Sequence, residues 1–175
     1  MNINYMREHA SLLPLVLANN KKHLVDVVGT NYYFSCQFHN EKTPSLRIKN
    51  VSNTGYCFGC GAKINPFTYI QEYENLKFRK VLQLLAQIYL FDVKYENPKL
   101  DSLVSKYQQV IMSEEYLFLL EEGLERFNKL SHSNQEIEQV NTVYEYQLST
   151  IERIRNHMYD PGFVYEEPER ILRKK

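Results

Sequence analysis

Two short clusters hold every cysteine of the 175-residue chain: Cys36-x2-His39, then seventeen intervening residues, then Cys57-x2-Cys60. A two-residue gap lets a tight turn aim both of its ligands at one ion, and two such pairs complete a tetrahedron. Three thiolates and one imidazole form the closed, soft donor set that suits structural Zn²⁺ and keeps no position for an activated water. The ion is therefore expected to hold the fold and not to catalyse. A disulfide or chance spacing would be the competing readings. The odd cysteine count disfavours the first, and a histidine at ligand spacing from Cys36 disfavours the second. His9, His23, His132 and His157 have no such pairing and read as ordinary surface or core histidines. Structural zinc binding, on the order of 10–16 kcal/mol, would couple folding of this region to the metal.

The elements that must place these ligands are short. Residues 31–35, NYYFS, read as a strand, because aromatic and β-branched side chains suit a pleated, half-buried surface. In SLRIKNV, residues 45–51, Leu46 and Ile48 point one way and Arg47 and Lys49 the other. The SNTG stretch at 52–55 has turn chemistry and leads to a short strand at Tyr56 to Phe58. Upstream, a helix is expected from Tyr5 to Asp26, broken near Pro14 and Asn19-Asn20. Its LLPLVLA core could serve a secretion signal, but Pro14 and the balanced Arg7-Glu8 pair favour a buried helix. Downstream, Asn65-Pro66 reads as a helix start, a second helix spans Phe78 to Tyr89, and ENPK at 96–99 reads as a linker. One or two helices then end near Leu130. SHSN breaks them, and a long amphipathic stretch from Gln135 stops at Asp160-Pro161-Gly162. The fold class expected is α+β: a small antiparallel zinc-ribbon sheet flanked by helices over residues 1–95, followed by a helical partner-binding module with a short tail over 96–175.

Charge divides along the same line. Residues 1–95 hold 11 Lys and Arg against 6 Asp and Glu, a net +5, while residues 96–175 hold 10 against 15, a net −5. Opposite signs suggest two jobs, although solvated faces would look the same. Three thiolates on Zn²⁺ would lower the first half to +4. No apolar run approaches the roughly 18 residues of a membrane span, and free cysteines at ligand spacing fit a reducing cytoplasm.

The segment Cys36-Gln-Phe-His39-Asn-Glu-Lys-Thr-Pro-Ser-Leu46, followed by Tyr56-Cys-Phe-Gly-Cys-Gly-Ala62 and then Glu74-Asn75-Leu76 ahead of an apolar helix, resembles the zinc-binding domain of bacterial DnaG-type primases. The likeness runs from about Val27 to Phe91. Gln37 replaces the usual proline, Leu46 a common phenylalanine, and Ile64-Asn65 a usual glycine, and none of these departures removes a ligand. The resemblance implies a domain that contacts single-stranded template and helps choose where a primer begins. Such primases also need a glutamate and an Asp-x-Asp pair for magnesium. Residues 96–175 have only Asp101 and Asp160, and the chain shows no phosphate-cradling glycine loop. The expectation is a protein that is not an enzyme on its own.

The residues supply chemistry for that role independently. Lys42, Arg47, Lys49 and Lys63 could follow a phosphate backbone, and Tyr32, Tyr33 and Tyr56 could stack bases or pack in the core. Phe34, Phe38 and Phe58 are equally suited to packing around the metal. In the acidic half, Ile137, Tyr144, Leu148 and Ile151 belong to a stripe that either docks on a separate polymerase, primase catalytic subunit or helicase, or is buried against the preceding helices. The leading expectation is a noncatalytic primase subunit or replication accessory protein. The alternative is a zinc-dependent DNA-binding regulator or interaction adaptor with no role in priming.

Overall fold

The computed structural model describes residues 3–20, 24–89, 97–130 and 132–159. Five strands follow in chain order, β1 (Leu24–Val28), β2 (Asn31–Phe34), β3 (Leu46–Lys49), β4 (Thr54–Cys57) and β5 (Lys63–Ile64), and form one antiparallel meander in that same order. Helices α1 (Ile3–His9) and α2 (Leu12–Asn20) precede it, α3 (Pro66–Tyr73) and α4 (Phe78–Ile88) follow it, and α5 (Pro98–Ile111), α6 (Glu114–Lys129) and α7 (Asn134–Tyr159) complete the described chain. The α+β class expected from the sequence is the one observed.

Strand alternation gives the sheet two unlike faces. Tyr32, Phe34, Leu46, Ile48, Cys57 and Ile64 are buried on one side. On the other, cross-strand pairing sets Tyr33 opposite Arg47, Arg47 opposite Tyr56, and Tyr56 opposite Lys63, in a single row over four strands. The closed face packs on the last two helices. Tyr32 donates its hydroxyl to Leu119 O at 2.9 Å, its Oη lies 3.2 Å from that of Tyr144, and Asn50 and Gln147 exchange two side-chain hydrogen bonds at 3.0 Å. Buried residues from both halves of the chain therefore form one contiguous core.

The N-terminal region departs from expectation in two ways. The helix breaks at Ala10-Ser11 and not at Pro14, which sits in the first turn of α2 where a missing N–H costs little. The break is filled from a distance: Asn53 accepts from Leu12 N at 2.7 Å and donates to Ala10 O at 2.6 Å, while the Tyr89 hydroxyl donates to Ser11 O at 2.7 Å. Residues Leu24 to Asp26, expected at a helix end, instead begin β1, in keeping with the valine-rich LVDVV and with pairing to β2. The two-residue β5 was also not anticipated. Asn97, expected in a linker, caps α5 by accepting from Lys99 N at 3.2 Å, with Pro98 in the first helical position. Residues 90–96 and the Asp160-Pro161-Gly162 stop lie outside the described residues.

The amphipathic stripe on α7 turns mostly inward. Val140, Tyr144, Ile151 and Ile154 are buried, Ile137 is partly buried, and Leu148 and Met158 are exposed. Among the described residues no helix is long and apolar enough to cross a membrane.

Gly123 shows how closely α6 meets this core. A Cβ there would stand 2.5 Å from Tyr32 Oη and closer still to Tyr144 Oη. Alanine would ordinarily strengthen a helix by about 1 kcal/mol, whereas overpacking costs about 1–3 kcal/mol and here would also disturb a buried hydroxyl pair. Gly123→Ala is expected to lower the denaturant midpoint despite its better helix propensity. A raised midpoint in urea unfolding would contradict this packing.

Candidate metal centre and nucleic-acid face

The four ligands come from two loops that the sheet brings together. Cys36 and His39 follow β2, Cys57 ends β4, and Cys60 lies in the turn before β5. Their ligand atoms all lie within 4.8 Å of one another. Cys36 Sγ is 3.9 Å from Cys60 Sγ, and Cys57 Sγ is 3.9 Å from His39 Nδ1. A disulfide needs about 2.05 Å. The edge of a tetrahedron with Zn–S bonds of 2.3 Å is about 3.8 Å. Donor chemistry and spacing thus fit one zinc ion held by Cys36, His39, Cys57 and Cys60.

A carboxylate missed among the expected site residues organises the centre. Glu41 Oε1 accepts from Cys36 N at 2.5 Å and from Ser45 N at 3.1 Å, and Oε2 accepts the Ser45 hydroxyl. Oε2 also lies 3.1 Å from His39 Nε2, so that nitrogen carries the proton and Nδ1 is left free to ligate. Burial alone would raise the Glu41 carboxyl, but the bonds from Ser45 and Cys36, with His39 beside it, hold it below its ordinary value. The two buried thiols differ when no ion is present. Burial pushes the Cys36 thiol up. At Cys57 burial acts in the same direction but is outweighed by hydrogen bonds from Ser45 and the turn, and the thiol is lowered. Backbone N–H groups of Phe38 and Cys60 approach Cys36 Sγ and Cys57 Sγ at 3.5 and 3.4 Å, as in turns that favour thiolates. Gly59 is required by crowding, since a Cβ there would stand 2.5 Å from His39 Nε2. The signal for Glu41 was its position two residues after a ligand in HNEKTPS.

The open face lies beside the centre. Lys42, Lys49 and Lys63 are exposed and Arg47 is partly so, and among the described residues none of the four makes an ion pair. Phe58, between the two knuckle cysteines, is 60% exposed. The Arg47 guanidinium sits 5.1 Å over its ring, and Tyr56 meets it edge-on at 5.0 Å. Tyr33 and Tyr56 are half-buried on this face. Tyr32 is in the core, so its ring is not presented to a ligand. Phe34 is fully buried, and Phe38 packs on Tyr69 with centroids 6.0 Å apart. Of the expected partner residues, Tyr144 and Ile151 are likewise internal, leaving Leu148 exposed and Ile137 partly so.

The CHC2 zinc finger family, the zinc ribbon of DnaG, matches residues 2–101. This chain belongs to the CHC2 zinc finger family. It is homologous to the N-terminal region of DNA primase. The DNA primase of Buchnera aphidicola is 36% identical over 84 residues, covering 48% of this chain and 15% of that protein. The DNA primase of Salmonella typhimurium is 33% identical over 103 residues, covering 59% of this chain and 17% of that protein. A crystal structure of the Aquifex aeolicus primase, comprising zinc binding and RNA polymerase domains, aligns with 98% of this chain and 44% of that one, at 17% identity and a TM-score of 0.45. This CHC2 chain thus spans less than a fifth of the length of these two primases.

Glu41→Gln keeps all four ligands but removes the carboxylate that accepts from His39 and Cys36. Zinc affinity is expected to fall about 10- to 100-fold, the usual cost of losing a carboxylate that orients a metal-binding histidine. Competition against a chromophoric chelator measures it, and unchanged affinity would refute the role given to Glu41.

Proposed function

We propose that this chain is the noncatalytic, template-binding part of a DNA primase, gripping single-stranded DNA on the open face of its zinc ribbon. The row Tyr33–Arg47–Tyr56–Lys63, flanked by the exposed Phe58, carries the reading. Among the described residues Arg47 and Lys63 make no ion pair, and the rings alternate with them. That combination suits an unpaired strand, whose phosphates need cations and whose bases offer stacking faces worth about 1–3 kcal/mol each. With strands about 4.8 Å apart, the four-residue row is about 14 Å long, enough for a few nucleotides.

The zinc ion holds the two loops in register and takes no part in chemistry. Arg47 serves twice: its guanidinium is available to a phosphate, and it supports the Phe58 ring from one side. In this reading the magnesium-binding acidic residues that primer synthesis requires are supplied by a separate catalytic chain. The partner would be a separate polymerase, primase catalytic subunit or helicase. The exposed Leu148 and the partly exposed Ile137 on α7 are offered as part of the contact surface, and the cytoplasm is where the complex would work.

Lys42, Arg47, Lys49 and Lys63 together imply a slope of log affinity against log salt near −3, at about −0.7 per phosphate contact on a single strand. Arg47→Gln with Lys49→Gln should bring it to about −1.4. In primer synthesis, the chain alone is expected to yield no product, and addition to its catalytic partner should yield primers that disappear with Cys57→Ser and Cys60→Ser. Primers made by the partner at an unchanged rate without this chain would overturn the proposal. Sequence-specific duplex binding with no effect on priming would favour a regulator instead.

A further inference from the structure

A second group of cations lies beyond the sheet. Lys77, Phe78, Arg79 and Lys80 are consecutive at the start of α4, and all four are exposed. Among the described residues, none of the three cations has a carboxylate within ion-pair distance. The carboxylates nearest in sequence are not partners. Glu74 accepts from Lys106 Nζ at 3.1 Å and from the Tyr107 hydroxyl, and Glu72 is exposed without an ion pair. Folding gives these cations no evident purpose. The first turn of α4 contains no acidic residue, Lys77 provides no side-chain cap, and peptide dipoles repel positive charge at this end of a helix.

Phe78 is the second observation. Its ring is 46% exposed, and it packs tilted against Phe67 with centroids 6.4 Å apart. Phe67 lies in the first turn of α3, only four residues beyond Lys63, the last cation of the open row. The ring pair joins the start of α4 to α3, the helix that follows and touches β5 at the edge of the sheet. Cations interleaved with an exposed ring fit an unpaired strand better than an acidic protein surface, which would have no planar base to cover Phe78.

We propose that Lys77, Phe78, Arg79 and Lys80 form an extension of the binding track that takes the phosphates and one base of the same single strand as it leaves the sheet past Lys63. This rests on the single-strand reading above, and the variants are chosen to separate the two. The zinc-loaded full chain is titrated with dT oligonucleotides of about 4 to about 16 nucleotides over a range of salt concentrations, with binding read by fluorescence anisotropy. The triple variant Lys77→Gln, Arg79→Gln, Lys80→Gln should bind the shortest oligonucleotides as the parent does. Its affinity should stop rising at a shorter length, and its salt slope on the longest should be shallower by about 2, for three contacts at about 0.7 each. Phe78→Ala should weaken binding to the longest about 5- to 150-fold, equivalent to about 1–3 kcal/mol of stacking, with the slope unchanged. A thermal transition of the triple variant at or above that of the parent shows that lost affinity is not lost folding.

If the triple variant matches the parent at every length and salt while Arg47→Gln with Lys49→Gln weakens binding, the extension is wrong and the sheet reading stands. If the triple variant weakens binding and the sheet variant does not, the α4 site stands and the sheet reading falls. No binding by the parent overturns both.

Discussion

Four ligand atoms must meet within a few ångströms of one point, and most of the local structure follows from that demand. Cys36 and His39 are separated from Cys57 and Cys60 by all of β3 and most of β4. The only short way to bring them together is to fold the intervening chain back on itself as antiparallel strands. Phe34 opposite Leu46, and Leu46 opposite Cys57, fix the register of that return at the metal end. A one-residue slip would put Leu46 in water and displace Cys57 from the ligand cluster together. Metal geometry and hydrophobic alternation therefore select the same register. Glu41 completes the constraint by tying the Cys36 and Ser45 backbones and the His39 ring to a single carboxylate, so that the first loop is shaped before an ion arrives.

The opposite end of the sheet is held by different means. Tyr32 reaches Leu119 and Tyr144, Asn50 reaches Gln147, and Asn53 fills the break between α1 and α2. These are polar side chains used as buried struts, each with its hydrogen-bonding groups met by a partner on another element. A further chain of such bonds joins the metal loop to the helices: Tyr69 donates to Gln37 at 2.5 Å, Asn19 donates to both Tyr69 and Tyr107, and Tyr107 donates to Glu74. Gln37 anchors this network beside Cys36. Loss of the ion would therefore be felt first in residues 36–45 and 57–64, because the rest of the sheet is braced by helices that contribute no ligand.

The metal ligands, the alternation in β3 and the capping of α3 by Asn65 were legible in the sequence because each is a local pattern with one physical reading. The Asn65 cap accepts from Phe67 N and Thr68 N at 3.0 Å, as its position before Pro66 implied. What was not legible depended on distant partners. Nothing local marks Asn53 as the residue that fills the Ala10-Ser11 break, since they are more than forty positions apart. LVDVV has an apolar periodicity too short to separate strand from helix, and pairing with β2 decides it. Tyr32 and Tyr33 are chemically alike and adjacent. Only the direction of the pleat sends one to the core and the other to the open face. Phe58 shows the reverse case, an aromatic residue suited to a small core that the turn between Cys57 and Cys60 places in solvent.

The opposite charges of the two halves acquire a direction from this arrangement. Helices α6 and α7 pack on the closed face of the sheet and carry exposed carboxylates, among them Glu115, Glu121, Glu138, Glu145 and Glu152. The molecule as a whole has a formal charge of zero, yet its exposed charge is unevenly placed, with Arg47 and Lys63 in the open row and mostly carboxylates on the helices behind the sheet. The single-strand grip proposed above therefore rests on local cations and not on net charge, which is why a formal charge of zero does not count against it.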